Sequence, residues 1–272
     1  MKQQFKNLIK KIPGIQNIVL ISKTSTSISD NQVYPDFCLK ASNSIKVFNR
    51  FRQNPVYKGI LEHVNEAQGQ IYLDEINKHS ELLVHMDEFK KNDDFGGAEL
   101  ITYPVVGAIS PSTLRYIKVL GDLNALFGSL NNMTICEIGV GYGGQCRILH
   151  VIDTPAKYTL VDIAPALMLA ERYMDNFIAG TIEYKTMNEL EKKEYDLVIS
   201  NYAFTELPRE IQNVYLKKVI LNSKRGYITY NQISPEHFHS YTKEELLKMI
   251  PGAKIVPEVP LTHPNNCIIV WG

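Results

Sequence analysis

MTICEIGVGYGGQCRILHVIDTPAKYTLV, Met133 to Val161, with Asp162 directly after it, decides how this chain is read. A short apolar run (TICEI) meets a cluster of glycines, then a helical stretch, then a second apolar run that ends in a carboxylate. Gly139, Gly141, Gly143 and Gly144 fall where the first strand must turn into the helix. Glycine tolerates positive φ there and lets a ligand approach main-chain N–H groups that no Cβ shields. An acidic residue closing the second strand is placed to accept hydrogen bonds from two ribose hydroxyls. The unit therefore reads as a nucleoside holder.

Outward from it, the pattern alternates. Helix 165–177 opens on Pro165, strand 181–185 follows, then strand 195–200 (YDLVIS), the loop NYAFTEL, a helix from Pro208 and strand 226–231 (GYITYN). Thr242-Lys243-Glu244-Glu245 is a capping box for helix 242–249. Two last strands, AKIVPEV and CIIVWG, are joined by a proline-rich loop with no helical pattern and read as an antiparallel pair. Strands alternating with helices predict an α/β fold, a mostly parallel sheet covered on both faces.

Upstream, Ser110-Pro111 opens a helix to about Gly128, with Leu114, Ile117, Leu120, Leu123 and Phe127 inward. Residues 45–94 carry helical apolar stripes: Val56, Ile60, Leu61 and Val64, then Ile76, Leu83, Met86 and Phe89. Asn92 to Gly97 reads as a solvated turn and 13–43 as largely irregular. MKQQFKNLIKKI (1–12) reads as a basic amphipathic helix packed on its own protein or a partner subunit. The division expected is a helical cap or interface region over 1–109 and a cofactor-binding domain over 110–272.

Composition narrows the partners. Lys+Arg and Asp+Glu are equal at 29 each in 272 residues, so no bulk charge attracts nucleic acid or an anionic membrane. Cys38, Cys136, Cys146 and Cys267 include no C-x-x-C and read as reduced, packed thiols. No run is long enough to span a membrane, and a soluble cytoplasmic protein is expected.

Gly139, Gly141 and Gly144 formally satisfy G-x-G-x-x-G, which a nicotinamide-dependent oxidoreductase would also use. Glu137, two residues before the turn, argues otherwise: its carboxylate would repel a pyrophosphate and attract an ammonium group. The late position of the glycine unit and the antiparallel close also argue against a second mononucleotide half. E-I-G-V-G-Y-G-G, the acidic Asp162 and the closing antiparallel pair together resemble the class I S-adenosylmethionine-dependent methyltransferases over residues 110–272. That resemblance implies a Rossmann-like seven-stranded sheet and S-adenosylmethionine as cofactor. Glu137, Gly139, Gly141, Gly143 and Gln145 would hold the methionine portion, and Asp162 with Ile163 the ribose. Met187 and Asn188 would flank the adenine, and Ser200, Asn201 and Tyr202 would face the methyl.

The stretches SPSTLRYIKVL (110–120), EIGVGYGGQ (137–145), YTLVD (158–162), SNYAFTEL (200–207) and HPNNCIIVWG (263–272) are further similar to a bacterial family of sugar O-methyltransferases associated with surface-polysaccharide biosynthesis. A sugar hydroxyl, on a free, nucleotide-linked or lipid-linked precursor, is the acceptor this resemblance implies. Glu206 and His263 are the candidate proton acceptors. Tyr142 and Tyr202 are candidates to line the sulfonium pocket. Arg115 is a candidate partner for the cofactor's carboxylate or an anionic substrate, with Tyr116, Tyr230 and Asn265 as further substrate contacts. His237 and His239 form an H-x-H without a carboxylate cluster, so no metal is expected. A cofactor-binding protein without turnover is the remaining alternative.

Overall fold

The computed structural model describes residues 32–177 and 181–272. The basic segment 1–12 and the Ser/Thr-rich stretch 22–29 lie outside them.

The sheet grows from the glycine unit in both directions. Strands β3 (Thr134–Ile138), β4 (Lys157–Val161), β5 (Ile182–Lys185), β6 (Tyr195–Asn201), β7 (Ser223–Tyr230), β8 (Lys254–Val256) and β9 (Cys267–Trp271) order as β5-β4-β3-β6-β7-β9-β8. The first five pair in parallel, and β9 runs antiparallel to β7 and β8. This is the α/β class I methyltransferase sheet with its late antiparallel strand, as the sequence predicts. The chain reverses its winding direction at β3, and such a switch point opens a crevice at the carboxyl ends of the strands.

Burial on both faces explains the apolar runs. Ile135 and Ile199 face one core, while Cys136, Ile138 and Val198 face the other. The second core is completed by α10 (Arg209–Lys218) and α11 (Lys243–Met249), through Tyr215, Leu216 and Leu246. Thr242 forms the expected capping box with Glu245. All four cysteines are reduced and buried.

The first core is thicker. It includes α7 (Pro111–Phe127), α8 (Gly144–Leu149) and α9 (Ala164–Met174), and above them the short helices of the N-terminal region: α1 (Val33–Asn43), α2 (Ile45–Phe48), α3 (Pro55–Ile60), α4 (Glu66–Ile76), α5 (Ser80–Leu83) and α6 (Met86–Lys90). Cys38, Phe51, Tyr57 and Phe89 thus share one continuous apolar cluster with Ile199 and Val270 of the sheet.

Three expectations change here. Residues 33–43 are helical, with Tyr34, Cys38 and Ala41 buried. Residues 98–109, unassigned from sequence, contain a hairpin of β1 (Ile101–Tyr103) and β2 (Gly107–Ile109). And α7, predicted to bury one stripe, is buried on every side from Pro111 to Gly121, because α4 packs on the face away from the sheet.

The turn at 92–97 is also not a solvated one. The Asp93 carboxylate accepts from Ser110 N (2.7 Å), Ser110 Oγ (2.7 Å) and Thr113 Oγ1 (2.7 Å) at the N-terminus of α7. Arg52 donates to Asp93 (2.7 Å), Ser110 Oγ (2.9 Å) and both oxygens of Glu62 (2.8 and 3.0 Å). A negative charge at a helix N-terminus is favourable, and the buried guanidinium pairs with both largely shielded acids.

Candidate active site

The turn after β3 has the geometry its glycines require: φ is +76° at Gly139, +56° at Gly141 and +86° at Gly143. A Cβ on Gly139 would sit 2.0 Å from Ala203 Cβ, so the turn and the segment after β6 approach as closely as backbone permits. Gly141 N–H donates to Asp162 Oδ2 at 3.1 Å, and Ile163 N–H donates to its Oδ1 at 2.8 Å. The carboxylate closing β4 is therefore fastened to the glycine turn. Leu61, from the N-terminal layer, packs on the outer face of Gly141.

Glu137 sits deeper than its sequence position suggested. It is 3 % exposed, and Tyr158 Oη on β4 donates to its Oε2 at 2.7 Å. Burial pushes its carboxyl up to about 8, against the Tyr158 hydrogen bond, with the nearby Asp162 adding to the rise. At neutral pH it is largely protonated, so the repulsion of a pyrophosphate inferred from sequence is weaker than a fixed charge would give.

Tyr142, a candidate for the sulfonium pocket, packs in the core. It is 0 % exposed, ringed by Phe51, Tyr57, Tyr116 and Tyr173, and the cation over its face is Arg52, 5.0 Å from the ring centroid. Gln145 is equally buried; its Nε2 donates to the Tyr116 carbonyl at 3.1 Å, which ties α8 to α7. Ser200 accepts from Phe204 N–H and donates to the Ile138 carbonyl, bracing the end of β6. Met187 is half-buried and Asn188 exposed in the 3₁₀ turn after β5, held by the Thr186–Glu189 capping box.

A second cluster forms at the ends of β6 and β7. Tyr202 has φ +69°, a left-handed conformation uncommon for a bulky residue and one that collects at functional sites. Its hydroxyl donates to Glu258 Oε1 at 2.5 Å, and Glu258 also accepts from Thr262 N and Oγ1. Arg115 lies against the Tyr116 and Tyr202 rings, 5.4 and 5.8 Å from their centroids, and is 7 % exposed rather than on the helix surface. Arg115, Tyr202, Asn201, Thr229, Tyr72 and Glu258 line part of a cavity of about 20 Å³. Neither Tyr72 nor Glu258 carried a sequence signal; one is among fifteen tyrosines and the other stands in a proline-flanked loop.

The proton-acceptor candidates lie outside that cavity's lining. Glu206 ends the 3₁₀ turn Ala203–Glu206 and accepts from Asn231 Nδ2 at 2.7 Å; burial raises its pKa against that hydrogen bond. His263 is half-buried in the loop before β9, its Nδ1 shielded and without a partner. Asn265 is exposed in the same loop. Tyr230 belongs to the core on the opposite sheet face from Thr229 and points away from the cavity. His237 lies in a 3₁₀ turn and His239 is left-handed, so the pair does not share the face of an extended segment. Among the described residues, no three His, Cys, Asp or Glu side chains converge on a metal-sized site.

No protein-family model matches the chain. It is 32 % identical over 111 residues to a malonyl-[acyl-carrier protein] O-methyltransferase of Anoxybacillus flavithermus, covering 39 % of this chain and 41 % of that one. It is 28 % identical over 132 residues to the protein of the same name from Acetivibrio thermocellus, covering 44 % of each. The chain thus spans less than half the length of these curated relatives. Among solved structures, magnesium protoporphyrin IX methyltransferase of Synechocystis aligns with a TM-score of 0.45 at 16 % identity, over 58 % of this chain and 78 % of that one. By its strand order, and with this partial sequence similarity beside it, the chain has the fold of the class I S-adenosylmethionine-dependent methyltransferases.

Proposed function

We propose that this chain is an S-adenosylmethionine-dependent O-methyltransferase. The observation that carries the reading is the Asp162 carboxylate fastened to Gly141 N–H at the switch point of the sheet. The residues present suit the cofactor: a glycine turn with positive φ at three positions, an acid at the end of β4, and an unpartnered buried Oε1 on Gln145 nearby in sequence. Asp162 would take the ribose hydroxyls, the turn and Glu137 the methionine end, and the Met187–Asn188 turn the adenine.

When bound, the cofactor supplies a sulfonium methyl group, which passes to the acceptor oxygen as the S–C bonding pair stays on sulfur. The chain's part is to align the acceptor and remove its proton. Glu206, whose half-buried carboxylate has a raised proton affinity and an anchoring bond from Asn231, is the residue we assign to that proton. The N-terminal layer over the glycine turn would exclude water.

For the acceptor we propose a sugar hydroxyl, on the family resemblance of the motifs at 110–120, 137–145 and 200–207. A second reading, a carboxylate acceptor, is favoured by the partial similarity to the malonyl-thioester O-methyltransferases and by the buried cation at Arg115. Tritiated methyl transfer from S-adenosylmethionine to neutral glycans and to acyl carboxylates tests both. Label in neither class would refute the enzymatic reading.

A further inference from the structure

We propose that Arg115 is a carboxylate subsite for the acceptor, so that the substrate of this chain carries an acid group. The inference rests on the methyltransferase reading above and specifies its substrate.

Three arginines among the described residues are buried, Arg52, Arg115 and Arg147, and of these Arg115 lines the cavity. Arg52 is neutralised by Glu62 and Asp93, with five hydrogen bonds to side chains and one carbonyl. Arg115 is as inaccessible, yet among the described residues no carboxylate lies within ion-pair distance of it. Its Nη2 donates to the Leu61 carbonyl at 3.1 Å, the Tyr116 and Tyr202 rings lie against it, and Tyr72 and His63 are close by. A guanidinium carries five N–H donors in a planar fork that matches a carboxylate. Burying that charge without an anion is unfavourable, and an incoming carboxylate would relieve it.

The acids near the cavity are already engaged. Glu258 accepts from Tyr202 and Thr262. Asp122 accepts from Lys118 Nζ and from the Tyr227 hydroxyl, at 2.6 Å each. Glu258 is held by neutral donors and Asp122 by Lys118, so Arg115 is the cation lining the cavity that has no carboxylate partner, and its end of the cavity suits an anion. The cavity has room for about one water, and a carboxylate oxygen reaching Arg115 would take that water's place. It lies against Asn201 and Tyr202, the end of β6 where the resemblance places the acceptor.

The carboxylate has two small-molecule sources, a sugar acid or an acyl thioester, and a third source would be the cofactor itself. The test is calorimetry on the full chain saturated with S-adenosylhomocysteine, titrated with D-glucuronate against D-glucose and with malonyl-coenzyme A against acetyl-coenzyme A. Tenfold or greater preference for the acid in one pair is expected, and that pair names the source. Arg115→Met should abolish the preference while S-adenosylhomocysteine affinity stays within twofold, and Arg115→Lys should retain part of it. If Arg115→Met does not fold, the wild-type preference and its partial loss in Arg115→Lys decide. No acid preference in either pair overturns the proposal, as does a preference unchanged by substitution. A tenfold loss of S-adenosylhomocysteine affinity with acceptor preference intact assigns Arg115 to the cofactor and also overturns it. Acid preference lost in Arg115→Met, in a wild type that does not bind S-adenosylhomocysteine, would sink the methyltransferase reading and leave the subsite standing.

Discussion

Protons should leave the protein when the cofactor binds. Burial holds the Glu137 carboxyl at about 8, so at pH 7 most of it is protonated. An ammonium group docked beside it would favour the carboxylate and draw the pKa well below neutrality, releasing most of that proton. The ligand's amino group is already a cation at pH 7 and takes up almost none. The net is a release of roughly half to one proton per site at pH 7. Calorimetry of S-adenosylhomocysteine in buffers of different ionisation enthalpy reads this number as a slope. Glu137→Gln should abolish the release and lower affinity by about 1–3 kcal/mol, the worth of a charge-assisted hydrogen bond. The same shift has a stability signature. A carboxyl whose folded pKa lies above its unfolded value contributes stability that is complete below about pH 4.5 and is lost as pH rises toward 8. Glu137→Gln should therefore flatten the decline of unfolding free energy between pH 5 and 8. A slope of zero in the buffer series, with tight binding, would refute the placement of the ammonium against Glu137.

Other consequences are as direct. Asp162→Ala removes the acid fastened to Gly141 and should weaken S-adenosylhomocysteine binding by about 1–3 kcal/mol, read by titration. Arg52→Met strands Glu62 and Asp93 in the core and should lower unfolding free energy by about 3–5 kcal/mol in urea melts, with loss of Tyr142 packing in near-ultraviolet dichroism. Glu206→Gln should cut turnover about 10²- to 10⁴-fold while cofactor binding persists. In the wild type, turnover should rise with pH through the raised pKa of Glu206 and then level; the variant should lack that limb, and full activity would remove Glu206 from the mechanism.

What the sequence discloses here is local chemistry, and what it withholds is packing. Ser110-Pro111, Thr242-x-x-Glu245, the glycine turn and Asp162 each satisfy backbone groups within a few residues, and the folded chain uses each where its spacing predicts. Tyr142 reads as a site candidate because it stands in the turn. It is lost to the core because Phe51 and Tyr57, some ninety residues away in sequence, cover it. Tyr230 fails by parity: β7 alternates its faces, and Thr229 rather than Tyr230 meets the cavity. Asp93 reads as part of a solvated turn because its pairing with Arg52 joins segments about forty residues apart. Arg115 was legible as a candidate, but its burial and lack of a counter-ion depend on α4 packing across α7, which no local pattern encodes.

The account stands on the kind of nucleoside that the turn after β3 accepts. Calorimetry of the full chain with S-adenosylhomocysteine and, separately, with NADH tests it most directly. One site for S-adenosylhomocysteine and no heat from NADH is the predicted result, and the reverse pattern would contradict the account from cofactor to acceptor.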